Sequence, residues 1–341
     1  MIEDIPTKPL FILAPMDDVT DTVFRRVVGE CATPDVFFTE FVNVDGLQSP
    51  GRPKLIKKLL FTTQEQPLIV QLWGKNPDNF YKTAQELADG TLLAEIKNFG
   101  LQHGFAEAQI HDINFAGIDL NMGCPVKAVI QNGCCSALMN ERDLALAIIQ
   151  AVKDGSSGLP VSVKTRVGFR AVDMTWPQLI LEQKLNMLTI HGRTVKQQSL
   201  VQADWDLIGQ VREMRDFLKL NTLIIGNGDV TSRAHGMELI ERYSLDGVMI
   251  GRGIFHDPFV FAKRSLWQSY GKEQRIALFR RHVALFAQTW GAQERPVHTL
   301  NRFCKIYING FDGAKELRER LMAAESVSEL QMTLDAAEHH S

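Results

Sequence analysis

No stretch of the 341 residues approaches the ~18 to 20 consecutive apolar side chains that a membrane-spanning helix needs, so nothing in the pattern calls for a bilayer. The opening MIEDIPTKPL also lacks the basic flank and apolar run of a secretory leader, and a cytoplasmic location is the resulting expectation. Cysteine is sparse and scattered: Cys31, Cys124, Cys134, Cys135 and Cys304 form no C-x-x-C pair, which argues against a disulfide framework and against a zinc site. Reduced thiols and no structural metal are expected. Low-complexity tracts are missing too, and 45% apolar with 23% charged residues is the composition of a soluble globular protein. Finally, no G-x-G-x-x-G follows the first apolar run, which disfavours a doubly wound dinucleotide-binding sheet.

The net charge of −3 conceals a segregation. Residues 261–320 carry twelve Lys or Arg against five Asp or Glu, an excess of seven. With four further acids at 321–341, this leaves the first 260 residues at −6. A basic segment on an otherwise acidic chain attracts polyanions.

What the sequence does contain is a repeated pattern. Eight short apolar runs, several rich in β-branched residues, alternate with helical patterns: 10–16, 36–41, 67–74, 117–123, 160–166, 187–193, 222–229 and 247–253. Helices are expected between them, for example Asp21 to Val28, and Glu141 to Lys153 with Asn140 as its N-cap. Eight strand-helix units in about 255 residues match the size of a (β/α)8 TIM barrel, and the continuous helical periodicity that follows predicts a C-terminal all-α bundle. The expected boundary lies between residues 255 and 256. Each run begins apolar and ends polar, in Thr39 and Glu40, Gln71, Asn121 and Cys124, Lys164 and Arg166, His191 and Arg193, Asn227 and Asp229, and Arg252. In a barrel these ends converge on one mouth, where active sites are built. The last two runs end in GNGD and GRGIF, whose glycines allow backbone N–H groups close to a phosphate, with Arg252 adding a charged contact. A phosphorylated ligand at the mouth is therefore expected.

LAPMDDVTD, VQLWG, GIDLNMGCP, SVKTRVG, TIHGRT, IIGNGDV and MIGRG, in this order, resemble the tRNA-dihydrouridine synthases across nearly the whole barrel. The resemblance implies an FMN-binding barrel at 1–255 and a helical tRNA-binding domain at 256–341, reducing the C5=C6 bond of particular uridines with NADPH as electron source. It assigns Pro15, Met16 and Asp17 to the flavin edge, Gln71, Lys164 and His191 to the isoalloxazine, and Asn227, Gly228, Asp229, Gly251 and Arg252 to the phosphate end. Cys124 becomes the catalytic acid. Asn121 is placed at the uracil or flavin, Lys127 and Arg193 at the substrate, and Arg295, Arg302, Lys305 and Tyr307 against tRNA. No obligate protein partner is evident, and a monomer is expected.

The chemistry fits the thiol. Hydride delivery to uracil C6 leaves enolate character that needs a proton at C5, and a free cysteine with pKa near ~8.5 is mostly protonated at neutral pH. Gly123 permits an unusual turn and Pro125 ends strand pairing, so the thiol is presented at the mouth. A cation at Lys164 favours an anionic reduced flavin. Two stretches depart from the family pattern. Residues 75–116 exceed a simple crossover and predict an inserted helix and loop, and VKQQSLVQADW after HGRT lacks an aromatic residue usual there.

Overall fold

The computed structural model describes residues 9–291 and 294–339. Nine strands form one parallel sheet: β1 (Leu10–Leu13), β2 (Phe37–Phe38), β3 (Val42–Asn43), β4 (Leu68–Trp73), β5 (Phe115–Met122), β6 (Val161–Arg166), β7 (Met187–His191), β8 (Leu223–Asn227) and β9 (Gly247–Ile250). Their order is β1-β9-β8-β7-β6-β5-β4-β2, with β3 also on β4. A parallel bridge between Ile12 and Val36, carried by the Leu13 N–H to the Val36 carbonyl at 3.1 Å, brings the two ends together. The sheet is a closed (β/α)8 barrel, as expected.

Alternation along the strands builds two apolar layers. Leu10, Ile12, Phe38, Ile69, Met187, Ile225 and Met249 fill the barrel's lower interior, while Phe11, Leu13 and their outward counterparts pack under the helices. Every expected run contains a strand, yet in five of the eight the strand stops two or three residues short at the C-end, because the polar residues there leave the sheet to form the mouth. The run 36–41 contains only β2, and β3 follows it beyond Thr39, Glu40 and Phe41. Two helix starts need correction. Asp21 is not the first helical residue but the cap of Thr22–Cys31, accepting from the Phe24 N–H. Asn140 closes a 3-10 turn instead of capping, and the following helix runs Arg142–Gly155 without a side-chain cap.

The segment 75–116 supplies two full helices, Pro77–Ala88 and Thr91–Gln102. Both lie on the outside of the barrel, where Arg52 binds Glu86 at 2.7 Å and Glu95 at 2.8 Å. Past β9 the chain forms helices Lys272–Trp290, Asn301–Tyr307, Ala314–Met322 and Val327–His339. At the start of the last helix Ser326 accepts from the Glu329 N–H at 3.2 Å, and the Glu329 carboxylate accepts from the Glu325 N–H at 2.8 Å. Among the described residues no helix is long and apolar enough to cross a membrane.

The bundle is fastened to the mouth by buried polar contacts. Trp290 donates to Asp21 at 2.9 Å and Arg295 donates to Glu40 at 2.7 Å, with Glu40 wholly buried. Arg295 is thereby removed from the candidate tRNA contacts, since its guanidinium is committed inside the protein. Burial pushes the Glu40 carboxyl up, and Arg295, then Lys58, oppose this. Arg295→Met leaves Glu40 with Lys58 at 3.7 Å as its remaining cation. Breaking a buried pair costs roughly 3–5 kcal/mol, so a loss near ~3 kcal/mol is expected, measured as a lower urea midpoint at unchanged slope.

Candidate active site

Strand β5 ends by turning sharply at Gly123 and Cys124. Asn121 makes that turn, its side-chain oxygen accepting from the Gly123 N–H at 3.2 Å and the Cys124 N–H at 3.0 Å. Gly123 has little room for a side chain, because a Cβ there would lie 3.2 Å from the Thr165 backbone. Ser136 binds the Cys124 carbonyl at 2.7 Å and Arg166 the Gly123 carbonyl at 2.8 Å. The thiol packs with Cys134 and Cys135 beside Phe41 and Trp73. A hydrogen bond from Cys135 lowers the Cys124 pKa to about 7, with further help from the Val126 N–H, Lys164 and Arg166, against burial. This corrects the expectation of an ordinary thiol: at neutral pH acid and thiolate coexist.

Beside this turn lies a cavity of about 580 Å³ bounded by Pro125, Lys164, Arg166, His191 and Arg193. Its floor and far wall are Pro15, Met16, Asn227, Gly228, Asp229, Gly251 and Arg252, so ten of the residues expected from sequence converge here. Lys164 has no hydrogen bond or ion pair among the described residues. Burial and Arg166 lower its pKa to about 8, against the attraction of Asp119 and Cys124, and it remains mostly a cation. Burial likewise drives His191 well below the ordinary histidine value, with Arg166, Lys164, Arg193 and Arg252 acting in the same direction. The imidazole is neutral. Because Arg193 can only donate, its 3.0 Å contact assigns the lone pair to Nε2 and the proton to Nδ1.

At the far end Gly228 has φ +135° and a Cβ there would stand 2.5 Å from that of Ala203. Asp229 follows in the left-handed region at φ 56°. The carboxylate of Asp229 binds Arg193, the Ala203 N–H and, at 3.3 Å, Arg252. Burial pushes this carboxyl up, but those hydrogen bonds and charges outweigh it and hold it below the usual range. Asn227 donates to the Met249 carbonyl at 2.8 Å and ties the last two strands. No acceptor is recorded for the N–H groups of Gly228 and Asp229 among the described residues. Together with exposed Arg252, at the start of the 3-10 turn Arg252–Phe255, they fit a phosphate.

Other expected site residues fall elsewhere. Asp17 is exposed and paired with Lys58 outside the cavity lining. Gln71 is wholly buried below the cavity, bonded to Asp119 and Asn121. Arg193 lines the cavity, but its guanidinium is occupied by His191, Asp229 and the Val201 carbonyl, so it holds the wall. Lys127, Arg302 and Lys305 are exposed. Tyr307 is a correction: it is fully buried, stacked on Phe279 and bonded to His282, and belongs to the bundle core. The sequence placed Arg166 at the mouth but gave it no role; its position two residues after Lys164 on one strand puts both on the same face.

A closed parallel barrel with a cation-lined, phosphate-compatible cavity at the C-terminal ends of its strands, beside a thiol of lowered pKa, defines a (β/α)8 barrel protein with an anion-compatible mouth. Within that class the family profile described as Dihydrouridine synthase (Dus) matches residues 12–100 and 104–340. The chain is 43% identical over 334 residues to a probable tRNA-dihydrouridine synthase of Staphylococcus aureus (strain COL), covering 97% of this chain and 94% of that protein. It is 42% identical over 331 residues to probable tRNA-dihydrouridine synthase 2 of Bacillus subtilis (strain 168), covering 96% and 94%. The protein belongs to the dihydrouridine synthase family. Among solved structures, the old yellow enzyme of Trypanosoma cruzi aligns at TM-score 0.44 and 11% identity over 76% of this chain and 88% of its own.

Titration of Cys124 follows from this geometry. Its alkylation by iodoacetamide, read by peptide mass spectrometry, should rise with pH around a midpoint of about 7. Cys135→Ala removes the largest cause of the lowering, so the midpoint moves upward.

Proposed function

We infer that the protein is an FMN-dependent tRNA-dihydrouridine synthase that reduces the C5=C6 bond of particular uridines in tRNA with NADPH as electron source. The observation that carries this reading is the adjacency of two functions: Pro125, the neighbour of Cys124, lines the cavity that also contains Lys164, His191 and the phosphate-compatible turn. Family membership and relatives named for this activity support it. FMN, when bound and reduced by NADPH, supplies hydride to uracil C6.

The chain's own residues do the rest. Cys124 gives its proton to C5, and a thiol near pH 7 is well matched to that transfer, since an acid is most effective with its pKa close to the working pH. Lys164 contributes a cation that stabilises an anionic reduced flavin, and His191, neutral, offers an Nδ1–H donor. Pro15 and Met16 bound the flat ring at its edge. Gly228 and Asp229 offer backbone N–H groups to the phosphate, Gly251 leads into the turn beside it, and Arg252 neutralises its charge. Asn121 serves through the Cys124 turn. Lys127, Arg302 and Lys305, exposed cations, meet tRNA phosphates, with residues 1–255 as the catalytic domain and 256–341 as the tRNA-binding one. The enzyme works as a cytoplasmic monomer.

Nucleoside mass spectrometry of tRNA from cells lacking the gene tests the whole reading. One dihydrouridine should be lost, restored by the wild type, and not by Cys124→Ala, whose reduction rate should fall by about 10²–10⁴ while bleaching by NADPH persists. Lys164→Met should instead slow that bleaching at least ~10-fold; an unchanged rate would refute the role of the cation.

A further inference from the structure

The amides beneath the catalytic turn are held in one direction by a buried acid. Asp119 lies on β5 in register with Gln71 on one side and Ser162 on the other, and all three are wholly buried. A register shift between β4 and β5, where Leu68 faces Phe115 but Ile69 faces Gly117, leaves Ala116 extra. That bulge turns the face of β5, so that Asp119 and Asn121 bond inside the barrel. One carboxylate oxygen of Asp119 accepts from Gln71 Nε2 at 2.7 Å, and the other accepts from Ser162 Oγ at 2.6 Å. Gln71 Oε1 in turn accepts from Asn121 Nδ2 at 3.0 Å. The chain ends where Asn121 Oδ1 receives the Gly123 and Cys124 N–H groups.

A carboxamide has a donor end and an acceptor end of nearly equal shape, and only its partners decide which way it faces. An ionised carboxylate can only accept. It therefore requires the NH₂ of Gln71, which leaves the Gln71 oxygen to require the NH₂ of Asn121. The Asn121 oxygen is then the end left for the two backbone donors of the turn. We propose that Asp119 is a positioning residue for Cys124: it fixes the direction of the Gln71 and Asn121 amides, and through them the turn that carries the proton-donating sulfur. The role as proton donor rests on the function inferred above; the positional role does not.

Burial pushes the Asp119 carboxyl up to about 6, while Ser162, Gln71 and Lys164 favour its ionised form. Ionised at neutral pH, it keeps the direction of the chain. Asp119→Asn has the same shape but can present either a donor or an acceptor to Gln71, so the direction is no longer imposed.

The test is made on the full-length holoenzyme by following alkylation of Cys124 against pH. With the turn loosened, the contacts from Cys135 and the Val126 N–H that hold the thiol pKa down are weakened. The midpoint in Asp119→Asn should therefore rise by about one unit from its wild-type value. A direct charge effect acts the other way, because removing a nearby negative charge lowers a thiol pKa. Ser162→Ala keeps the Asp119 to Gln71 bond and should leave the midpoint in place. The double variant Gln71→Glu with Asp119→Asn restores a pure acceptor at position 71, facing the Asn121 amide, and should return the midpoint towards the wild-type value even if Asp119→Asn alone folds poorly. An unchanged or lowered midpoint in Asp119→Asn overturns the proposal, as does a shift of equal size in Ser162→Ala or a raised midpoint in the folded double variant. Turnover of tRNA separates the two ideas. If Cys124→Ala reduces uridine normally, the proton-donor reading fails while the alkylation result still decides the role of Asp119.

Discussion

Like charges crowded into one small space are the constraint around which this protein is arranged. Lys164, Arg166, Arg193 and Arg252 border a single cavity that includes one carboxylate, Asp229. Burial first, and then repulsion by these cations, shows in the lowered pKa values of Lys164, Arg166 and the neighbouring His191. Several members of this collection are held by neutral or acidic partners. Arg166 donates to the carbonyls of Gly123, Thr194 and Gln198, and Arg193 to that of Val201 and to Asp229. Among the described residues Lys164 has no comparable partner, and its charge is opposed by Asp119 and Cys124 only at a distance.

The same arginines organise the mouth mechanically. Arg166 reaches from β6 both to the turn before Cys124 and to the loop after β7, so the Cys124 turn and the cavity wall share one guanidinium. The loop whose sequence departs from the family pattern is thus pinned from inside by Arg166 and Arg193, while Leu200 at its outer side is exposed. Its backbone, not its side chains, is what the buried arginines read. Lost aromatic character there leaves those contacts intact.

Much of this was legible in the sequence, for a definite reason. Strand cores need continuous apolar side chains and a barrel gathers strand ends, so apolar runs with polar finishes revealed the fold and seven cavity residues, Lys164, Arg166, His191, Arg193, Asn227, Asp229 and Arg252, whereas Pro15 and Met16 came from the family resemblance. Other features are invisible in one dimension. Tyr307 and Arg295 look like surface residues of a basic helical tail, but a buried imidazole and a buried carboxylate far away in sequence claim them. Gln71 reads as a ligand contact because it stands near a strand end, whereas β5, after the bulge at Ala116, sets an acid, Asp119, directly opposite it. The shift of Cys124 to about 7 depends on Cys135, which follows a tight left-handed turn that residue types alone do not announce.

Glu40 has one oxygen on the Asp18 N–H of the first mouth loop and the other on Arg295 of the bundle. Asp21 likewise both starts the first barrel helix and receives Trp290. The helical part is therefore not a detachable cartridge. Grafting the helical part of a relative onto this barrel would succeed only if the acids at 21 and 40 were matched by the indole and guanidinium that answer them.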